Sequence, residues 1–190
     1  LNTLLRYFAD TIGKLNSLNN ISKFMKSQGQ DVAVKSIASY LGYFKDAYLL
    51  STVDRFDIHG KQLLESNEKL YFSDIGLRNL IAGGERQGDM EKILENVVYQ
   101  QLLRMGYTVN VGQLRVGEVD FVCTKSNERI YVQVTYLIAS EETEDREFGC
   151  LENIQDNYPK YVISMTPLVR KSDRQGIIHM GLREFLRNGF

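Results

Sequence analysis

Residues 117–135 read Gly117-Glu118-Val119-Asp120-Phe121-Val122-Cys123-Thr124-Lys125-Ser126-Asn127-Glu128-Arg129-Ile130-Tyr131-Val132-Gln133-Val134-Thr135. β-branched and aromatic residues fill both arms, and Ser126-Asn127-Glu128 makes a polar turn between them, so the stretch predicts two strands folded back on each other. Strict alternation puts Val119, Phe121 and Cys123 on one face and Glu118, Asp120 and Val122 on the other. In the second arm Gln133 and Thr135 share a face, opposite Val132, Val134 and Tyr136. A short turn then brings Asp120 beside Gln133. Two acids on an otherwise apolar strand either stand in solvent at a sheet edge or need a cation or a hydrogen-bond network to be buried.

Working upstream, residues 89–105 predict a long helix with Ile93, Leu94, Val97, Val98, Leu102 and Met105 on one arc, and Glu95 at the rim of that arc. Strands are expected at 107–111 and 114–124. Downstream the pattern gives a helix over 143–155, a strand at 160–165, a short strand at 177–180 and a last helix over 182–187. A strand that follows a crossover helix implies a parallel or mixed sheet.

Residues 1–85 have a different character. Leu1, Leu4, Leu5, Phe8, Ile12 and Leu15 recur at helical spacing, and a second helix is expected over 18–27. A third follows Asp31 as N-cap and buries Val34, Ile37, Ala38, Leu41, Phe44 and Tyr48. Then come a strand at 49–56, the turn Asp57-Ile58-His59-Gly60, a return at 61–64, a short strand at 69–72 and a helix over 74–81 begun by Asp74. Three helices followed by a hairpin predict a winged helix-turn-helix. The glycine-rich, polar stretch 82–89 sets the expected boundary between domains 1–85 and 86–190. The expected fold is therefore α/β (α+β overall), with a winged helix-turn-helix followed by a mixed sheet flanked by helices.

The 190 residues are 43% hydrophobic and 25% charged, which is globular and argues against disorder. No apolar run is long enough for a membrane helix, so no membrane partner is expected. With 23 Lys and Arg against 24 Asp and Glu, the net charge of -1 excludes strong whole-chain attraction to nucleic acid but leaves room for a local basic patch. Cys123 and Cys150 lack metal-ligand spacing and predict a reducing, cytoplasmic setting rather than zinc or a disulfide. No phosphate-binding Gly-Lys-Ser/Thr loop occurs, so the chain is not itself an ATPase of that type.

The helix Glu95, the strand Asp120 and the polar pair Gln133-x-Thr135 resemble the PD-(D/E)xK nuclease superfamily, whose core follows restriction endonucleases. More widely, Lys69-Leu70-Tyr71-Phe72-Ser73-Asp74-Ile75-Gly76-Leu77-Arg78, Leu94-Glu95-Asn96, Gly117-Glu118-Val119-Asp120-Phe121 and Tyr131-Val132-Gln133-Val134-Thr135 together resemble the C-terminal domain of unknown function of bacterial AAA-type ATPases. That resemblance implies a winged helix joined to a nuclease-like domain, with ATP bound only in an N-terminal AAA-type module of the same polypeptide. It also implies catalytic positions at Glu95, Asp120, Gln133 and Thr135. Metal ligands would be Glu95 and Asp120, with Glu118 as a third carboxylate. The departure is at 133 and 135, where the superfamily has an acid and a lysine. A neutral Gln133 is a weaker ligand for Mg²⁺ or Mn²⁺, and Thr135 brings no charge to a phosphate; Arg146 could stand in for the lysine.

Two functions follow: a non-catalytic DNA- or protein-binding region serving an attached ATPase, or a Mg²⁺- or Mn²⁺-dependent nuclease acting through Glu95 and Asp120. A third is a regulatory platform that recognises another protein. For DNA, the outward face of the third helix offers Lys35, Ser36, Ser39, Tyr40 and Tyr43, and the hairpin tip offers His59 and Lys61.

Overall fold

The computed structural model describes residues 1–84, 87–167 and 174–190. It divides into two compact units: Leu1–Asp54 with Glu65–Asn96, and Arg55–Leu64 with Val97–Phe190. The boundary expected between 85 and 86 lies outside the described residues.

In chain order the elements are α1 (Asn2–Asp10), β1 (Leu15–Asn16), α2 (Leu18–Ser27), α3 (Val34–Asp46), β2 (Leu50–Asp57), β3 (Gln62–Phe72), α4 (Ile75–Ala82), a 3₁₀ turn (Gln87–Asp89) and α5 (Met90–Arg104). They continue as β4 (Thr108–Gln113), β5 (Glu118–Lys125), β6 (Glu128–Thr135), α6 (Glu141–Glu152), β7 (Lys160–Ser164), β8 (Ile178–Gly181) and α7 (Leu182–Asn188). The chain is thus mixed α/β, as the pattern of apolar spacing predicts.

In the first unit, α1, α2 and α3 surround a core of Leu4, Phe8, Ile12, Ile21, Met25, Ile37, Leu41 and Phe44, closed by Leu50, Leu70 and Phe72. Ser17 caps α2 by accepting from the Asn20 N–H, and Asp74 caps α4 by accepting from the Leu77 N–H. Three local expectations fail here. α3 begins after Ala33 rather than Asp31 and has no side-chain cap, because the chain stays extended through Ala33. Tyr48, expected in the core, is 85% exposed, since it takes a left-handed turn (φ 55°) that points it off the helix stripe. Val34 and Ala38 are also exposed, leaving Ile37, Leu41 and Phe44 as the buried face. The two short strands expected at 61–64 and 69–72 are one continuous strand, β3.

In the second unit the strand order is β2-β4-β5-β6-β7-β8. β4, β5 and β6 form an antiparallel meander, whereas β2 joins β4, and β7 and β8 join the far side, in parallel. The sheet is mixed, as a crossover helix between β6 and β7 requires. α6 covers it through Phe148 and Leu151, which pack with Val119, Val122, Tyr131 and Val162. The strand expected over 114–124 starts only at Glu118. Its first four residues form a turn closed by a bond from the Leu114 N–H to the Gly117 carbonyl, with Gly117 at φ 87° where a side chain would be strained.

β5 carries the feature that places the candidate site. Asn110 pairs with Val122, but Gly112 pairs with Val119, so Asp120 and Phe121 together oppose Val111. This one-residue bulge breaks the alternation read from the sequence: Val119 shares a core cluster with Val122, not with Phe121 and Cys123.

Candidate functional site

At the bulge, β5 and β6 stop pairing through their backbones. The ladder runs from Lys125↔Glu128 to Phe121↔Val132. One step further, side chains take over: the Asp120 N–H donates to Gln133 Oε1 at 3.1 Å, and the Val134 N–H donates to Asp120 Oδ2 at 2.9 Å. Gln133 Nε2 then donates to Glu147 Oε2 on α6 at 3.0 Å. Glu147 Oε1 in turn accepts from Arg146 Nε and Nη2 at 2.9 and 2.7 Å. Asp120, Thr135 and Glu147 are all buried, whereas the Arg146 side chain is 68% exposed. α6 delivers Glu147 inward because Phe148 and Leu151 fix its buried face and Ser140 caps its start by accepting from the Thr143 N–H.

The sequence therefore brought Asp120, Gln133, Thr135 and Arg146 into one neighbourhood, and the structure adds Glu147, which reads in the sequence as part of an acid-rich helix start. Its signal was the step Glu147-Phe148-Leu151, which puts an acid on an apolar stripe. Gln133 is the amide between two carboxylate-bearing residues, accepting on one side and donating on the other. A glutamate at 133 would have no proton for Glu147 and would place three carboxylates together. Cys150 senses this charge: burial, then Asp120 and Glu147, push its thiol up to about 12, far from a reactive thiolate. Glu118 is half-buried on β5, opposite Gln113 in register, and belongs to the strand leading into the bulge.

Glu95 lies in the first unit and has other company. Its Oε1 accepts from Lys69 Nζ at 2.9 Å and from the Tyr71 hydroxyl at 2.5 Å. Lys69 is 1% exposed and Tyr71 fully buried, so the carboxylate satisfies two groups that have left water. Gly13, at φ 68°, leaves room for it; a Cβ there would stand 2.9 Å from Glu95 Oε2. The next residue, Asn96, clasps the Phe72 backbone, accepting from its N–H and donating to its carbonyl, both at 2.8 Å. Arg78, without exposed surface, donates to the Ala9 carbonyl at 2.8 Å and to Asp89 Oδ2 at 2.5 Å, while Lys92 holds Asp89 Oδ1 at 2.8 Å. Burial pushes the Asp89 carboxyl up, but the bonds from Lys92 and Arg78 outweigh it and hold the group below its ordinary value.

Glu95, expected at the rim of a cleft as a metal ligand, forms a largely buried ion pair with Lys69. Among the described residues no group of three or more His, Cys, Asp or Glu side chains could hold a metal ion.

The expected DNA-facing residues are exposed. Lys35, Ser36, Ser39, Tyr40 and Tyr43 line the outer face of α3 in the first unit, where the Ser39 hydroxyl donates to the Lys35 carbonyl. His59 and Lys61 belong to the second unit, on a turn whose backbone N–H groups at His59 and Gly60 are capped by Asp57. Beside that turn is a cavity of about 510 Å³ lined by His59, Lys61, Arg115, Arg129, Asp156 and Tyr158, among others. No helix among the described residues is long and apolar enough to cross a membrane.

Residues 1–88 match the family described as Domain of unknown function (DUF8612). An uncharacterized protein of Haemophilus influenzae is 36% identical over 164 residues, covering 86% of this chain and 40% of that protein. The uncharacterized protein MJ1544 of Methanocaldococcus jannaschii is 31% identical over 156 residues, covering 80% of this chain and 33% of that one. Protein VC1899 from Vibrio cholerae, in its crystal structure, aligns with 99% of this chain and 50% of its own at 14% identity and a TM-score of 0.35. The chain is thus similar, over its first 88 residues, to a domain of unknown function and, over most of its length, to 40% and 33% of two longer relatives.

Proposed function

We propose that this chain is a non-catalytic DNA-binding module, the C-terminal region of an AAA-type ATPase, built as a winged helix-turn-helix followed by a restriction-endonuclease-like domain whose site has lost cleavage. The observation that carries this reading is the Gln133 clamp. At the position where a nuclease of this type needs an acid for its metal, a neutral amide accepts from the Asp120 backbone N–H and donates to Glu147, whose other oxygen is paired with Arg146. Asp120 itself accepts from the Val134 backbone, and Glu95 is occupied by Lys69 and Tyr71. The winged-helix part rests on three helices and a hairpin, with small hydroxyls and a lysine on the outer face of α3 suited to phosphates and base edges. The greater length of the two relatives leaves room for an attached motor module.

A second reading, protein docking through the same unit, is favoured by Tyr40, Tyr43 and Tyr48, which are 38%, 64% and 85% exposed. The test is a labelled duplex titrated with the full chain in EDTA and in Mn²⁺. Binding that survives EDTA, weakens with Lys35→Glu and Tyr43→Ala, and leaves the duplex intact supports the module. Metal-dependent degradation that Asp120→Asn abolishes would establish the nuclease alternative and end this reading.

A further inference from the structure

We infer that the cavity beside the β2–β3 turn is a nucleotide-phosphate site, taking one phosphorylated nucleoside either free or as a unit of a single strand. It shares His59 and Lys61 with the expected hairpin-tip contact and otherwise rests on second-unit residues that the nuclease pattern does not use. Its volume of about 510 Å³ falls in the range of small-molecule sites, roughly 300–1,000 Å³. Three cationic side chains, Lys61, Arg115 and Arg129, line it, against one acid, Asp156.

That acid is already engaged. Asp156 Oδ2 accepts from the Tyr131 hydroxyl at 2.6 Å, Oδ1 accepts from the Tyr158 N–H at 3.2 Å, and Lys160 Nζ stands 3.6 Å from Oδ1. Among the described residues no carboxylate is paired with Lys61, Arg115 or Arg129. The nearby Asp57 is spent on the turn backbone. The cavity therefore carries surplus positive charge in a concave place, which concentrates its field on an anion.

Arg129 is also held in position. Its guanidinium lies 4.8 Å from the Phe56 ring centre and 5.5 Å from that of Tyr158. The two rings hold the guanidinium beside the cavity, where a planar fork is better suited to a phosphate than the point charge of a lysine. Tyr158, 43% exposed, offers its ring at the same cavity as a platform for a base. A cationic fork next to an aromatic face fits a phosphate joined to a base better than it fits a bare carboxylate.

The experiment uses fluorescence anisotropy with a 5′-labelled ten-nucleotide single strand, competed by a mononucleotide and by poly-glutamate. It compares the full chain with Lys61→Glu/Arg115→Glu, both exposed and outside any core, with Arg129→Ala, and with Lys26→Glu as a remote charge control. The site predicts at least tenfold weaker strand binding for the double variant and an unchanged control. The slope of log affinity against log salt should shrink by about 1.4, two phosphate contacts at roughly 0.7 each. Displacement by the mononucleotide identifies a free nucleotide as a sufficient ligand, and displacement only by longer strands identifies the strand. Equal binding by wild type and the double variant overturns this site but not DNA binding through α3. Nucleotide binding without duplex binding keeps the site and removes the DNA-module reading. Poly-glutamate competing as well as the strand overturns the nucleotide assignment, and binding of neither strand nor mononucleotide overturns the site outright.

Discussion

Replacing Glu95 by glutamine separates a structural carboxylate from a metal-binding one. The Lys69 side chain is 1% exposed and the Glu95 side chain 13%, with 2.9 Å between Nζ and Oε1. Glu95→Gln keeps the shape and an acceptor for Tyr71 but removes the negative charge that stands 2.9 Å from the buried Lys69 ammonium. Breaking one member of such a pair costs about 3–5 kcal/mol, and the partial exposure of Glu95 puts the expected loss near the lower end, about 3 kcal/mol. In a chain of this size that lowers Tm by roughly 6–12 °C. Lys69→Met should be similarly destabilising, since it leaves the Glu95 carboxylate with one partner fewer in a largely dry place. The double variant Lys69→Met/Glu95→Gln should recover about 2 kcal/mol relative to the sum of the singles, because it removes both members of the pair together. Tyrosine near-ultraviolet circular dichroism during thermal and urea unfolding reads all three, as the chain has 11 tyrosines and no tryptophan. A carboxylate kept for a metal would behave oppositely: without metal, Glu95→Gln would be neutral or stabilising. A change in Tm under about 2 °C in the single variant, with no coupling in the double, would refute the ion-pair argument.

Three further outcomes test the rest of the chain. Asn96→Ala removes two buried hydrogen bonds to the Phe72 backbone and should cost about 2–4 kcal/mol, with faster hydrogen exchange at the Phe72 amide as the local signature. Gln133→Glu should destabilise the second unit in EDTA and make its Tm rise with Mn²⁺, whereas the wild type stays indifferent to the metal; an equal response in both would remove the clamp from the argument. Burial lowers the pKa of His179 below its ordinary 6.5, with Glu144 acting weakly the other way. The folded state thus binds the proton less well than the unfolded chain, so this contribution is intact above about pH 6.5 and lost as pH falls below it, down through the folded value. Urea unfolding between pH 7.5 and 5.5 should show that loss in the wild type and less of it in His179→Asn.

The elements were legible where apolar spacing is regular and the caps are local. α2 was read at 18–27 and occupies Leu18–Ser27, and Asp74 caps α4 as its position before the Ile75–Ala82 stripe indicates. The turn expected at Ser126-Asn127-Glu128 is the two residues Ser126 and Asn127, because Glu128 already pairs with Lys125. What escaped was set by non-local pairing. Lys69 and Glu68 interrupt the apolar pattern of β3, so one long strand reads as two short ones; the lysine is tolerated there because Glu95, 26 residues away, meets it. The bulge in β5 depends on β4 register and has no signature in the alternation of 118–125. For the same reason Asp120 and Gln133 were correctly placed side by side while their true partners, the Val134 backbone and Glu147, were not. The motif Lys69 to Arg78 was read through a resemblance. In physical terms, Lys69, Tyr71, Phe72, Asp74 and Arg78 are each bound by the Glu95–Asn96 step, the start of α4 or Asp89.

The Asn96 clasp also bears on how this chain avoids sticking to itself. β1 is only two residues long and covers Glu68 and Lys69 of β3. Past it, the Leu70 carbonyl is taken by the Gly13 N–H and both backbone groups of Phe72 by the Asn96 amide. A row of open donors and acceptors beside Leu70, Tyr71 and Phe72 would be an inviting template for a strand from another molecule. One carboxamide, mimicking a peptide group, seals that seam at its most apolar point. Losing it would be felt first as aggregation during refolding at high concentration, before any deficit in ligand binding.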